Sequence, residues 1–141
     1  MRIRSSALVT VLFLAATSPA RADDTVAGTY DVKLEESGST CSPKPETFSK
    51  GKLVIAVKKA SLTVKLDAVY QMVGAAPKDG TISAKTTKLV GTSVGGLSAR
   101  YSVAGHVEGG TLQLVLTAQY IRQDTNKPYC AQAWNVSGSR E

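Results

Sequence analysis

The chain is poor in the residues that build most enzyme and metal sites. Its 141 residues include one histidine, two cysteines and 6% aromatic residues. A single histidine, with two cysteines that lack C-x-x-C spacing, does not provide the ligands of a typical transition-metal site. No segment beyond the N-terminal region is apolar for long enough to span about 30 Å of hydrocarbon as a helix. The sequence therefore predicts no metal, no cofactor and no membrane-spanning helix.

The first 22 residues have the layout of a secretory signal peptide. Arg2 and Arg4 form a positive start, residues 7–16 are almost uninterruptedly apolar, and Ala20-Arg21-Ala22 has small residues where a signal peptidase reads. We predict cleavage before Asp23, one domain over residues 23–141, and export to the periplasm or the extracellular space. The sequence does not decide between these two compartments.

Part of the positive charge belongs to this predicted signal. The chain has 17 basic and 11 acidic residues, a net charge of +6, whereas residues 23–141 have 14 and 11, a net charge of +3. Lysines gather on one predicted hairpin, but interleaved aromatic residues, which single-stranded nucleic acids require, are missing there. We predict a solvated face and no nucleic-acid partner. The oligomeric state stays open.

After Thr25, apolar and polar residues alternate in short runs, as in strands with one buried face. The alternation covers Tyr30-Val32-Leu34, Leu53-Ile55-Val57, Leu62-Val64-Leu66-Ala68, Leu97-Ala99-Tyr101-Val103, Leu112-Leu114-Leu116-Ala118-Tyr120 and a last strand over residues 129–138. Lys59-Ala60, Asp79-Gly80 and Gly109-Gly110 are the predicted turns. We predict an all-β fold: an antiparallel meander of about seven or eight strands forming an up-and-down barrel, with a β-sandwich as the alternative.

A barrel embedded in an outer membrane is excluded by the faces opposite the apolar ones. These faces carry Lys52, Lys65, Asp67, Arg100 and Glu108, where a lipid-facing surface requires apolar residues. We therefore predict that the apolar faces point inward and that the barrel does not span a membrane.

Cys41 and Cys130 form an even pair in a chain predicted to enter an oxidising compartment. We predict a disulfide between them. In the chain-entropy description, closing a loop of about 90 residues contributes about 4 to 5 kcal/mol of stability.

Two short motifs match nucleophile signatures only in part. Residues 91–95 read G-x-S-x-G, but no acidic residue lies between Ser93 and His106, and no helical pattern follows. Residues 49–52 read S-x-x-K without the companion motifs of penicillin-recognising enzymes. We predict no catalytic residues, and residues 91–96 are interpreted as a loop between strands.

Two tripeptides resemble those of calycin-type exported barrels, the group of lipocalins and avidins. Gly28-Thr29-Tyr30 stands where lipocalins have Gly-x-Trp, and Gly138-Ser139-Arg140 places an arginine after the last predicted strand. The resemblance implies a small barrel in which Arg140 packs against Tyr30. The ending Cys130 to Trp134 also resembles that of secreted bacterial proteins, a resemblance that implies no activity.

The leading functional hypothesis is a non-enzymatic exported barrel that binds a small apolar or amphipathic ligand in its mouth. Small inward residues such as Ala68, Ala84, Ala99 and Ala118 predict space beside the candidate ligand-binding residues, which are Tyr30, Tyr101, Tyr120 and Trp134. The alternative is a protein-binding module of the cell envelope, or a protease-inhibitor-like barrel, that acts through loops at residues 37–46 and 91–96. A structural protein of undefined function is the third possibility.

Overall fold

The computed structural model describes residues 24–67 and 69–141. The predicted signal peptide and Ala68 lie outside these ranges. A 3₁₀ turn, Asp24–Val26, precedes nine strands: β1 Gly28–Ser39, β2 Lys50–Lys58, β3 Ser61–Leu66, β4 Met72–Ala75, β5 Thr81–Lys85, β6 Val90–Gly91, β7 Leu97–Glu108, β8 Thr111–Arg122 and β9 Pro128–Arg140. The all-β prediction is confirmed.

The strands form one antiparallel sheet that returns on itself. Its order is β5-β4-β3-β2-β1-β9-β8-β7-β6, and β5 also pairs with β7. Within the described residues, the pairing of β5 with β7 therefore closes eight strands into a ring. The short β6 pairs with the first part of β7, along the same edge as β5. The barrel is thus favoured over the sandwich because all sequence neighbours except β5 and β6 pair with each other, and β1 also pairs with β9.

Three of the predicted turns connect neighbouring strands. Lys59-Ala60 joins β2 to β3, and Gly109-Gly110 joins β7 to β8. Gly109 and Gly110 have φ angles of 59° and 78°, the left-handed pair that a two-residue hairpin requires and that glycine adopts without a steric penalty. Asp79-Gly80 lies directly before β5, so the turn chemistry correctly located this connection too.

The alternating apolar residues point into the ring. Leu53, Leu62, Leu112 and Leu116 are 0% exposed, and they belong to one cluster that also includes residues from the other long strands. Each fully buried leucine stabilises the folded state by about 1.5 to 3 kcal/mol. Eight-stranded barrels either are filled by their own side chains or hold one small ligand.

Two predicted boundaries are wrong by a few residues. The loop expected over residues 37–46 begins only after Ser39, because β1 continues its pairing with β9 as far as Ser39 and Gln132. The last strand is longer than predicted, so Arg140 is its final residue and does not follow it. Strand length is set by the partner strand, which local alternation does not reveal.

The predicted disulfide is present. Cys41 and Cys130 are bonded across a sequence separation of 89 residues, and no described cysteine is free. Among residues 24–67 and 69–141, no helix is long and apolar enough to cross a membrane.

Candidate functional site

One end of the barrel is closed by Tyr30 and Arg140. The Tyr30 hydroxyl donates to the Val26 carbonyl at 2.6 Å and accepts from Arg140 Nη2 at 2.8 Å. Arg140 also donates to the Thr25 carbonyl, and its guanidinium lies 5.4 Å from the centre of the Tyr30 ring. We call this the closed end. The packing of Arg140 on Tyr30 is the contact expected from the two tripeptides.

The opposite end is covered by residues 40–49, which we call the strap. The Cys41–Cys130 disulfide ties its start to β9, and the Thr40 amide adds a 2.9 Å bond to the Ala131 carbonyl. Near the end of the strap, the ring of Phe48 lies 4.9 Å from that of Trp134. The strap is therefore attached at both of its ends and along β9. We call this the strap end.

Gln132 holds the middle of the strap from inside the barrel. Its side chain accepts from the Glu46 amide at 3.3 Å and donates to the Glu46 carbonyl at 3.0 Å. The same amide group accepts from the Tyr120 hydroxyl at 2.6 Å and donates to Glu36 at 3.3 Å. Gln132 is 1% exposed, so these bonds satisfy a polar group that would otherwise be costly to bury.

Tyr101 is a second tyrosine at the strap end. The residue is 2% exposed, and its backbone amide and carbonyl are hydrogen-bonded to Thr86. Among the described residues, every fully buried side-chain oxygen or nitrogen has a hydrogen-bond partner. Burial raises the pKa of Tyr101, and the nearby charge of Glu46 and the phenol of Tyr70 raise it further. A buried phenol close to a carboxylate keeps its proton well above neutral pH.

Tyr120 is influenced by acidic groups at the strap end. Burial raises the pKa of Tyr120, and Tyr101, Glu46 and Glu36 add to this effect. An apolar environment and neighbouring carboxylates both disfavour a phenolate, which explains the direction of the shift. Groups with shifted pKa values that converge at one end of a fold are candidates for a binding site.

The four residues predicted to bind a ligand are divided between the two ends. Tyr30 belongs to the closed end, whereas Tyr101, Tyr120 and Trp134 lie on the strands beneath the strap. All four are between 0% and 2% exposed. Their part in ligand binding stays a prediction, and a ligand that reaches them requires the strap to move.

Sequence reasoning missed Gln132, Glu46 and Phe48. Gln132 lies two residues before Trp134 in β9, so the two side chains point to the same, inward face. The alternation of the strand therefore indicated the orientation of Gln132, but a polar side chain is not expected to be buried. Glu46 and Phe48 belong to the strap, whose irregular backbone has no period that predicts side-chain direction. Only the fold brings these residues together.

Ser93 and His106 are not brought together: Ser93 lies in the loop before β7, and His106 lies near the end of β7. Ser93 Oγ donates to the Pro45 carbonyl at 3.1 Å and thereby supports the strap. His106 is exposed, and its Nε2 is 3.6 Å from a carboxylate oxygen of Glu108. Within the described part of the chain, no cluster of three or more His, Cys, Asp or Glu residues offers a metal site.

The rim beside the strap has an open cleft of about 330 Å³. Its lining comprises Val94, Gly95, Gly96, Leu97, Arg122, Asp124 and Tyr129. Val94 is 40% and Tyr129 48% exposed, and Arg122 lies 5.8 Å from the centre of the Tyr129 ring. The cleft is a shallow surface feature, separate from the buried tyrosines.

Comparison with protein families, curated proteins and solved structures finds no match to this chain. The calycin resemblance therefore stays a prediction, and the geometry carries the functional argument.

Proposed function

We propose that the protein is an exported, non-enzymatic binding protein that takes a small amphipathic ligand beneath the strap. The observation that carries this proposal is the convergence of three inward aromatic residues, Tyr101, Tyr120 and Trp134, beneath an irregular strap that side-chain bonds from Gln132 hold in place.

The surroundings of Tyr101 support an amphipathic ligand. Apolar surface is supplied by the cluster that includes Trp134 and Phe48. Polar groups converge from the strap and the strands, namely Glu46, Gln132 and the Tyr120 hydroxyl. Ligand sites typically combine a mostly apolar lining with a small number of such oriented polar groups.

The strap provides the route for the ligand. Its middle is held mainly by the side chain of Gln132 and by Ser93, whereas its start is held covalently by Cys41. Side-chain hydrogen bonds contribute about 0.5 to 1.5 kcal/mol each, so this segment opens at a modest cost. We propose that the strap swings about the disulfide and exposes the tyrosines to the ligand.

The test is a titration with N-phenyl-1-naphthylamine, a neutral amphipathic fluorescent probe. Trp134 is the only tryptophan in the sequence, and its ring lies 4.9 Å from that of Phe48 in the strap, so its emission reports both binding and strap movement. We expect saturable binding, a change in Trp134 emission and a higher melting temperature with probe. Tyr101→Phe is expected to bind the probe less tightly, whereas Tyr129→Phe, at the exposed rim, is not.

The titration is repeated with a cationic and an anionic amphiphile. A flat titration and an unchanged melting temperature with all three probes would overturn the proposal. Binding that is unaffected by Tyr101→Phe but lost in Tyr129→Phe would move the site to the rim.

A second candidate function is docking of another envelope protein on the rim cleft. The exposed side chains of Val94 and Tyr129 favour it, since large apolar residues at a cleft mark interaction surfaces. Wild-type protein would then recover a stoichiometric partner from an exported fraction, and Val94→Asp would not. Recovery that is equal for both proteins would argue against this surface.

A further inference from the structure

The pairing of β4 with β5 is the shortest within the ring of eight strands. Among the described residues, these strands share one register pair, Val73 with Lys85, whereas β5 pairs with β7 along its whole length. They cross closely at Gly74, where a Cβ atom would overlap the backbone of β5. Beyond this crossing the chain turns towards β3, and the Ala76 amide donates to the Ala60 carbonyl at 3.0 Å. The two strands therefore separate on the side of their connecting loop.

An open groove of about 700 Å³ lies along this seam, on the outer wall of the barrel. We call it the seam groove. The exposed residues of β5 alternate with buried ones, so their side chains point outward into the groove. Its other described lining residues are small or apolar and include no aromatic residue. The polar lining is supplied by Lys78, Asp79, Thr81, Ser83, Lys85 and Ser102.

The positive charges of the seam groove are not balanced by ion pairs within the protein. Neither Lys78 nor Lys85 forms an ion pair with a residue in the ranges 24–67 and 69–141. By contrast, Lys52 of β2 contacts two carboxylates. Asp79 is the one acidic residue in the described lining of the groove. The groove therefore presents charge that a ligand of opposite sign can pair with.

The fold brings two further cations to the borders of the groove. Lys59 lies in the β2–β3 turn, which bonds the start of the β4–β5 loop. Arg100 lies two residues before Ser102 in β7 and thus on the same outer face, and Ser102 pairs with Lys85. Neither cation forms an ion pair with a described residue. The four cations follow the groove from the closed end of the barrel towards the strap end.

This arrangement favours an extended anionic ligand with many hydroxyl groups. The five residues of β5 extend about 13 Å along the groove, which is longer than a single phosphate or sulfate ion. Ammonium and guanidinium groups form charge-assisted hydrogen bonds with such oxyanions. The hydroxyls of Thr81, Ser83 and Ser102 both donate and accept, as the hydroxyls of a sugar require.

The lining argues against two other polyanions. Single-stranded nucleic acids are bound by aromatic residues on which bases stack, and no aromatic residue lines the groove. A membrane surface is flat and does not enter a concave groove, so it would leave the hydroxyls of Ser83 and Ser102 without a partner.

We propose that the seam groove binds a linear polysaccharide that carries sulfate or phosphate groups. Lys78 and Lys85 pair with its anionic groups, Lys59 and Arg100 attract it at the two ends, and the hydroxyls between them bond its sugar units. The groove is separate from the strap end, so this inference does not rest on the proposed ligand-binding function.

The experiment compares dextran sulfate with neutral dextran of the same chain length, at an ionic strength of about 0.15 M, where distant surface charges are screened. Affinities are measured by isothermal titration calorimetry. We expect saturable binding of dextran sulfate that weakens with added salt, and no binding of dextran.

The decisive variant is Lys78→Gln with Lys85→Gln, which removes both cations of the lining. We expect it to bind dextran sulfate about tenfold more weakly, the combined effect of losing two exposed ion pairs. The matched control is Lys33→Gln with Lys127→Gln, which removes the same charge at exposed positions outside the groove. The control should bind within about twofold of the wild type.

A second pair of variants tests the groove by adding a charge. Ser83→Glu places a carboxylate in the middle of the lining, whereas Ser137→Glu places one on the exposed outer face of β9. We expect Ser83→Glu to bind dextran sulfate less tightly than Ser137→Glu. Circular dichroism and thermal melting of each variant establish that a loss of binding is not a loss of fold.

Several outcomes would overturn the proposal. Absence of dextran sulfate binding by the wild type is the first. Equal weakening in the two double lysine variants would show that net charge alone attracts the polymer. Tighter binding of phosphatidylglycerol vesicles or of single-stranded DNA than of dextran sulfate, with the same dependence on Lys78 and Lys85, would assign the groove to a different polyanion.

Discussion

The two ends of the barrel are closed by different kinds of contact. At the closed end, the Tyr30 hydroxyl has both a donor and an acceptor partner and Arg140 covers its ring. At the strap end, Tyr120 is as deeply buried, but its hydroxyl donates to the neutral side-chain amide of Gln132, which also binds the strap. A buried tyrosine is thus held by a charged group at one end and by a neutral amide beneath an irregular segment at the other.

This difference indicates a division of roles. The closed end joins the first and last strands, because Arg140 of β9 reaches Tyr30 of β1. The strap end is an irregular segment that lies over the mouth and is held by one covalent bond and several side-chain bonds. Segments of this kind belong to the less stable parts of a fold, where binding occurs.

The largest expected effect follows removal of the disulfide. The double variant Cys41→Ser, Cys130→Ser removes the covalent link between two residues that are 89 positions apart in the sequence. We expect a loss of about 4 kcal/mol in the free energy of unfolding, measured by urea denaturation. Reduction of the wild type should give the same loss. A double variant as stable as the oxidised wild type would contradict a stabilising role of the disulfide at the strap end.

The next effect tests the closed end. Arg140→Ala removes a charged hydrogen bond to Tyr30 and a cation–π contact, and we expect a loss of about 2 kcal/mol. Arg122→Ala is the matched control, since Arg122 also lies over a tyrosine ring, but at the exposed rim. It should cost less than about 1 kcal/mol. Equal losses for both variants would contradict the structural role of the closed end.

A smaller effect on stability is expected at the strap end. Gln132→Leu keeps the burial but removes the bonds to Glu46 and Tyr120, and we expect a loss of about 1 to 2 kcal/mol. Amide exchange within residues 40–49 should accelerate, and Trp134 emission should shift to the red. Gln119→Leu on the outer face of β8 is the control. Unchanged strap exchange would mean that Gln132 does not hold the strap.

The smallest effect is expected at alkaline pH. Burial, followed by neighbouring phenol and carboxylate groups, raises the pKa of Tyr101 and Tyr120 above the ordinary value of 10.0. Their contribution is complete below about pH 10 and is lost as the pH rises, because the unfolded chain ionises first. Stability should therefore fall less steeply above about pH 10 in Tyr101→Phe than in the wild type. Identical slopes for the wild type and Tyr101→Phe would contradict the shift.

Much of the fold followed from patterns of a few residues. The alternation in β3, β7 and β8 correctly indicated which side chains are buried, because successive residues of a strand point to opposite faces. The Gly109-Gly110 turn was predictable because few residues adopt its positive φ angles. The disulfide followed from the number of cysteines in a chain predicted to be exported.

The candidate site was predictable only in part. Tyr101, Tyr120 and Trp134 were selected as inward aromatic residues, and their burial agrees with that orientation. Glu46 and Gln132 were not selected, because they are separated by 86 residues and meet only when β9 pairs with β1 and the strap folds over them. No local pattern encodes such a meeting.

By itself the sequence determined the class of fold, the buried face of the clearest strands and several of the turns, since these depend on residue period and backbone conformation over short distances. The tertiary structure alone decided that Arg140 meets Tyr30 and that Gln132 joins Tyr120 to the strap at Glu46. The physical reason is ring closure, which brings distant strands and the strap into contact and so sets the partners of each buried polar group.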